Sequence, residues 1–216
     1  MATDPDHAEL HTPGVSVAVL AKAPVAGHAK TRLAPVLGAA GAARVHRQLV
    51  LRTLQTVQRA GLRLELWGEP AGHRFFKALA RVQRCLPLAQ PAGDIGTRMH
   101  AAFVHHCGRS PAPLLLIGTD CPVLDAAHLR QAARRLLAGD EAVFTPAEDG
   151  GYVLVGLRRP VPELFENMVW STEQVMAQTR ERLQRLGLRY SEMPTLWDID
   201  RPADWLRWLA MNPPAA

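Results

Sequence analysis

A chain of 216 residues is long enough to bury one sizeable core, and its 48% hydrophobic and 21% charged content is that of a globular protein. No apolar run approaches the ~20 residues that span a bilayer. Residues Met1 to Pro13 lack the basic start and apolar stretch of a signal peptide, so the chain reads as cytoplasmic, with no membrane partner. The net charge of +5 favours anionic ligands, but the arginines are scattered, with short pairs only at Arg134-Arg135 and Arg158-Arg159. A nucleic-acid surface needs a basic stripe interleaved with aromatics, so none is expected.

In chain order, residues 1–13 are expected to be loosely ordered and 14–211 to form one domain. Residues 15–21 read as a buried strand, followed by a Pro/Gly loop from Lys22 to Gly38. A helix is predicted over 39–61, a strand over Leu62–Trp67 and a short helix over 72–81. A glycine-containing loop then leads to a helix over 95–107, with Ile95, Met99, Ala102 and Phe103 on one face. Leu114–Ile117 is a short, wholly apolar run of the kind found at the centre of a parallel sheet. Next come a helix over 126–138 and two strands, 141–145 and 152–157, around Glu148-Asp149-Gly150-Gly151. Ser171 and Gln174 have the spacing of a capping box before a helix to about Leu186. A strand near 189–193 and a helix over 203–210 close the chain. Strands alternating with helices predict an α/β fold, a mostly parallel sheet with helices on both faces.

Only three lysines occur, and two of them, Lys22 and Lys30, share one loop with Arg32. That loop leaves the carboxyl end of the first strand, where open α/β sheets place ligands. Gly27 permits a tight turn whose amides face an anion. Lysine serves phosphate as a point charge, and arginine clamps it with two parallel hydrogen bonds. The loop is not a P-loop, because Pro24 and Ala29 stand where that motif requires glycine.

Asp120 follows the apolar strand Leu114–Ile117. Magnesium is commonly held by one or two carboxylates plus phosphate oxygens, and Asp120 is placed to supply one. Asp198 and Asp200 point to the same side of an extended segment and are further candidates, although Asp200 also sits where it would cap the last helix. Gly93, Asp94, Gly96 and Arg98 belong to a glycine loop opening a helix, able to meet a base edge, with Asp94 equally suited to capping. Asp149-Gly150 is a turn signal, and the paired glycines Gly150 and Gly151 also leave room for an acceptor against backbone. His105-His106-Cys107 is not expected to bind metal, because neighbours on a helix diverge by about 100°. Cys85, Cys107 and Cys121 lack disulfide or zinc-ribbon spacing and read as small buried thiols. Trp197, Trp205 and Trp208 read as packing residues.

The runs Ala21-Lys22-Ala23-Pro24, Gly27, Lys30-Thr31-Arg32-Leu33, Gly93-Asp94-Ile95-Gly96-Thr97-Arg98-Met99, Gly118-Thr119-Asp120-Cys121-Pro122, Asp149-Gly150-Gly151-Tyr152, Trp170-Ser171-Thr172 and Asp198-Ile199-Asp200 stand in one order along the chain. Together they resemble the nucleotide-diphospho-sugar transferase superfamily with its glycosyltransferase-A fold. The nearest resemblance is to a bacterial glycosyltransferase family linked by name to arsenosugar biosynthesis. More distantly, the chain resembles guanylyltransferases that activate phospholactate-type acids or the molybdenum cofactor. Where that family continues with Thr-Pro-Glu-Asp, this chain has Arg201-Pro202-Ala203-Asp204.

The resemblance implies an enzyme that takes a nucleoside triphosphate or nucleotide-sugar and a small-molecule acceptor, with Mg²⁺ (or Mn²⁺) as cofactor. It implies nucleotide binding by Ala21, Lys22, Ala23, Gly27, Lys30, Thr31, Arg32, Gly93, Asp94, Gly96, Arg98 and Thr119, and metal binding by Asp120 with Asp198 and Asp200. Asp149, Gly150, Gly151, Trp170, Ser171 and Thr172 would meet the acceptor, and Lys30, Arg32 and Asp120 would carry catalysis. Nucleotidyl and glycosyl transfer both fit. A non-catalytic nucleotide- or partner-binding module of the same fold is the alternative, against which the joint presence of Asp120, Lys30 and Arg32 speaks.

Overall fold

The computed structural model describes residues 14–83 and 85–212. The expectation for residues 1–13 lies outside them. The elements are β1 (Ser16–Lys22), α1 (Ala34–Arg59), β2 (Arg63–Glu69), α2 (Arg74–Gln83), β3 (Leu88–Ala89), α3 (Ile95–Cys107), β4 (Leu114–Ile117), α4 (Ala126–Leu137), β5 (Ala142–Pro146), β6 (Tyr152–Leu157), α5 (Val175–Arg185), β7 (Tyr190–Glu192) and α6 (Pro202–Met211). Their strands form a single sheet in the order β3-β2-β1-β4-β6-β5-β7. Strands β1 to β4 pair in parallel, β6 runs antiparallel to β4 and β5, and β7 is parallel to β5.

Successive side chains of β1 point to opposite faces of the sheet. Val17, Val19 and Ala21 pack with Val50 and Leu54 of α1, Phe76 of α2 and Leu129 of α4. Ala18 and Leu20 pack with Met99 and Phe103 of α3 and with Met176 and Leu183 of α5. Both faces are therefore covered by helices, as an α/β pattern predicts. All four residues of β4 are buried, which explains why that run carries no polar alternation. A third cluster joins Leu33, Val45 and Leu49 to Trp197 and Ile199. It clamps the segment before α6 against the start of α1.

The predicted boundaries mostly match. Strand β2 runs two residues further than expected because its pairing with β1 continues to Lys22 opposite Glu69. Gly38, at φ 68 and ψ 162, interrupts α1 in a conformation confined to glycine, so regular helix starts at about residue 39. The Ser171/Gln174 capping box does not form. Ser171 takes φ 63, α5 begins only at Val175, and Gln174 precedes it without a side-chain cap. The preceding Trp170 ring is seated on Gly96, where an added Cβ would lie 2.6 Å from the ring. The chain turns sharply to put it there.

His105 and His106 diverge as expected. His105 packs edge-on against Trp67. His106 meets Glu65 through Nδ1 and donates from Nε2 to the Ala112 carbonyl at 2.9 Å. The hydrogen bond to the Glu65 carboxylate raises the His106 pKa above its ordinary 6.5, against the opposing effect of burial. A folded-state value above the unfolded one stabilises fully below about pH 6.5, and that stabilisation fades as pH rises through the folded value. Glu65→Gln keeps an acceptor and removes the charge. The wild-type advantage in melting temperature over this variant should be largest near pH 6 and shrink toward pH 9. A gap constant with pH would refute the ion pair.

Candidate active site

Strand order places the first crossover, β1 to β2, on one side of β1 and the later strand β4 on its other side. The sheet's switch point therefore lies between the carboxyl ends of β1 and β4, where open α/β sheets leave a crevice. Those two ends carry the Lys22–Arg32 loop and Gly118-Thr119-Asp120. A cleft of about 590 Å³ opens there.

The loop after β1 is built by local turns. His28 and Ala29 donate their amides to the Val25 carbonyl at 3.0 and 3.1 Å, and Gly27 takes φ 79. Lys30 follows in left-handed backbone, φ 49 and ψ 44, an unfavourable conformation for a residue with a Cβ. A short 3-10 turn over Thr31–Leu33 then buries Leu33 completely in the third cluster. This anchor, with the left-handed turn, aims Lys30 inward, so that its side chain is only 3% exposed.

There the ammonium meets the acids. Lys30 Nζ lies 2.9 Å from Asp120 Oδ2 and 3.6 Å from Asp200 Oδ1, and it donates to the Ile199 carbonyl. Arg32 pairs with Asp200 from the exposed side. The Ile199 amide donates to the Asp120 carbonyl at 2.9 Å, tying the 198–200 segment to the end of β4. Trp197 and Ile199 are buried, so Asp198 and Asp200 alternate to the other side of the extended segment. Burial first, then the carboxylates of Asp120, Asp149 and Asp200, push the Asp198 pKa up to about 7, against the pull of Lys30. Cys121, beside this cluster, is pushed up to about 12 by burial and by Asp198, so it stays a neutral thiol.

The expected separation of roles, cations on phosphate and acids on metal, is therefore not how the side chains are arranged here. Lys30 and Arg32 are engaged by the acids. Among the described residues no three His, Cys, Asp or Glu side chains form a ready-made metal cage; Lys30 stands between Asp120 and Asp200. Two features nonetheless suit a divalent cation. The Asp120 Oδ1 atom is buried without a hydrogen-bond partner, and several carboxylates crowd around Asp198 with few cations to balance them. One or two carboxylates completed by phosphate oxygens is how magnesium is usually held.

Of the other candidates, Ala21, Lys22, Gly93, Arg98, Thr119 and Ser171 line the cleft. Gly27 and Thr31 are exposed on the loop, and Ala23 is buried in the core. Asp94 caps α3, accepting from the Thr97 amide at 2.8 Å, while Gly96 lies beneath Trp170. Thr172 Oγ1 donates to the Val169 carbonyl within its own turn. Asp149 accepts from the Gly151 amide at 3.0 Å. Gly150 lies so close to Glu173 that an added Cβ would come within 2.2 Å of its carbonyl oxygen. Asp200 does not cap α6; Asp204 accepts the Asp200 and Arg201 amides instead, at 3.0 and 2.7 Å.

The far end of the cleft also holds Gln90 and Glu69, side chains without a motif signal. Gln90 donates to the carbonyls of Ala21 (3.1 Å) and Trp67 (2.8 Å), tying β3 across β2 to β1. Arg98 pairs with Glu69 and donates to the Gly93 carbonyl at 3.2 Å. His46 enters the other end from α1, next to Asp120. Its helical position sits in an ordinary apolar pattern, and nothing in the sequence separates it from a packing histidine.

A family model described as an uncharacterized protein conserved in bacteria, DUF2064, matches residues 51–172, more than half of the chain. The chain belongs to that family. No curated protein sequence matches it. Among solved structures, it is similar to a protein of Desulfovibrio desulfuricans G20 provisionally named a nucleotide-diphospho-sugar transferase. That match has 26% identity and a TM-score of 0.84 over 94% of this chain and 89% of the other. CMP:2-keto-3-deoxy-manno-octonic acid synthetase complexed with CTP matches at 9% identity, TM-score 0.58, over 92% and 98% of the two chains. Glucosyl-3-phosphoglycerate synthase of Mycobacterium tuberculosis, in complex with Mn²⁺, UDP and glucosyl-3-phosphoglycerate, matches at 11% identity, TM-score 0.53, over 92% and 76%. At those last identities the likeness is one of fold. The structural neighbours are nucleotidyl and glycosyl transferases, and this chain shares their α/β architecture. Among the described residues no helix is long and apolar enough to cross a membrane.

Proposed function

We propose that this protein is a cytoplasmic, divalent-metal-dependent transferase that takes a nucleoside triphosphate and passes its nucleotidyl group to a small-molecule acceptor. The observation that carries this reading is the meeting of Lys30 and Arg32, from the loop after β1, with Asp200 and with Asp120, which lines the switch-point cleft. Cations and acids gathered around one crevice match the needs of a metal-bound polyphosphate. Glycosyl transfer from a nucleotide-sugar is the second reading, favoured by the name of the D. desulfuricans neighbour. The resemblances to the arsenosugar-linked glycosyltransferases and to guanylyltransferases belong to this proposal and leave the base and the acceptor open.

Asp120 and Asp198, with Asp200 beside them, would hold the metal, which when bound neutralises phosphate charge. Lys22, at the cleft, and Lys30 and Arg32, at its edge, supply the positive charge that stabilises the leaving pyrophosphate. In the reaction an acceptor oxygen forms a bond to the α-phosphorus, and the bond from that phosphorus to the β-bridging oxygen breaks. The protein's task is positioning and charge stabilisation. Gly93 and Arg98 would meet the nucleoside, and Ser171 with the 149–151 turn would meet the acceptor.

A thermal-shift panel of triphosphates and nucleotide-sugars with Mg²⁺ or Mn²⁺ tests the proposal, because a ligand of the native state raises the melting temperature by mass action. A shift of several degrees with at least one nucleotide, dependent on metal, is expected. With an acceptor pool, release of pyrophosphate identifies nucleotidyl transfer and release of nucleoside diphosphate identifies glycosyl transfer. No shift across the panel would remove the proposal.

A further inference from the structure

His46 is 5% exposed, yet only one of its ring nitrogens has a partner. Nε2 lies 3.0 Å from the Lys22 carbonyl oxygen, which can only accept, so Nε2 carries the hydrogen. The other nitrogen, Nδ1, is buried without a partner. Nδ1 lies 4.0 Å from Asp120 Oδ1, and Oδ1 is likewise buried without a partner. Both residues line the cleft. A neutral imidazole that donates from Nε2 is an acceptor at Nδ1, so the two atoms are buried acceptors too far apart to bond each other, a pair that a bridging cation satisfies. A metal ion with bonds of about 2.1 Å spans about 3.0 Å between neighbouring octahedral ligands and about 4.2 Å between opposite ones, so the 4.0 Å gap suits these two atoms on opposite sides of the ion.

We infer that His46 Nδ1 is a metal ligand of this site, pairing with Asp120 Oδ1 to hold a divalent cation in a mixed nitrogen–oxygen half-site. The inference rests on the reading of the acid cluster as a cation site and adds a residue from α1 that none of the motifs contains. A nitrogen donor shifts selectivity away from magnesium, which prefers oxygen, toward ions that accept imidazole. The Lys22 carbonyl acts as the orienting partner that metal-bound histidines commonly have, and it lies in the same loop as the phosphate-binding cations.

The test is electron spin-echo envelope modulation on the full chain loaded with Mn²⁺ alone. Wild type should show coupling to ¹⁴N that changes to ¹⁵N when the protein is grown on ¹⁵N-labelled histidine, a comparison that requires no substitution. In His46→Gln, whose side-chain amide can still donate to the Lys22 carbonyl, the coupling should vanish and Mn²⁺ affinity should fall about ten- to a hundred-fold. Mn²⁺ bound with no nitrogen coupling would overturn the role of His46 while leaving the cation site standing. Absence of Mn²⁺ binding in wild type would overturn both.

Discussion

Asp120→Asn should lower turnover by about 10³-fold or more while leaving the protein folded. The substitution removes the carboxylate that faces both Lys30 and His46. Folding should survive for specific reasons. Lys30 retains Asp200 and the Ile199 carbonyl. The Asp120 backbone carbonyl, which accepts from Ile199, is untouched. The melting temperature should accordingly stay within a few degrees of wild type, roughly 1 kcal/mol for a chain of this size. Steady-state rates with the nucleotide found in the binding panel, beside a melting curve, make the measurement. Undiminished activity would eliminate Asp120 as a metal ligand, and a collapsed fold would make its role structural.

Most of the fold was legible because its signals are local. The run Leu114–Ile117 has no polar residue to place outward, and the structure buries all four side chains. The Lys22–Gly38 stretch announces a loop by its prolines and glycines, and the break at Gly38 is that announcement realised. The Ser171/Gln174 pattern misled because a capping box is a two-residue signal. It yields to tertiary packing, here the seating of Trp170 on Gly96.

For the site, residue type and position relative to strand ends singled out Lys22, Lys30, Arg32, Asp120 and the 198–200 segment. The structure brings Lys30, Arg32, Asp120 and Asp200 into contact, and Lys22 and Asp120 line one crevice. What the sequence could not supply is which side chain meets which. Lys30 and Asp200 are 170 residues apart in numbering, and their approach depends on Leu33, Trp197 and Ile199 sharing a cluster. His46, Glu69 and Gln90 escaped notice for the same reason. Each is marked only by a contact with a distant backbone carbonyl or side chain, and none stands out from its local sequence.

Lys30→Met carries the second large effect, on stability. The Lys30 ammonium is almost fully buried and touches Asp120, Asp200 and the Ile199 carbonyl, while Asp198 lies within its field. Methionine fills similar volume but leaves three carboxylates facing one another. Removing one partner from a buried ion pair costs about 3–5 kcal/mol. The side chains of Asp120 and Asp200 are 45% and 46% exposed, so water screens part of that, and about 2–3 kcal/mol is expected. This corresponds to a fall of roughly 5–10 °C in melting temperature for a chain of this length. Adding Mn²⁺ should recover more of the loss in the variant than it adds to wild type, because the cation then takes over the neutralising role of the ammonium. An unchanged melting temperature, or equal Mn²⁺ shifts in the two proteins, would mean that Lys30 is not what holds the acids together. A larger Mn²⁺ shift in the variant would show that this lysine is what keeps the carboxylates together without a metal.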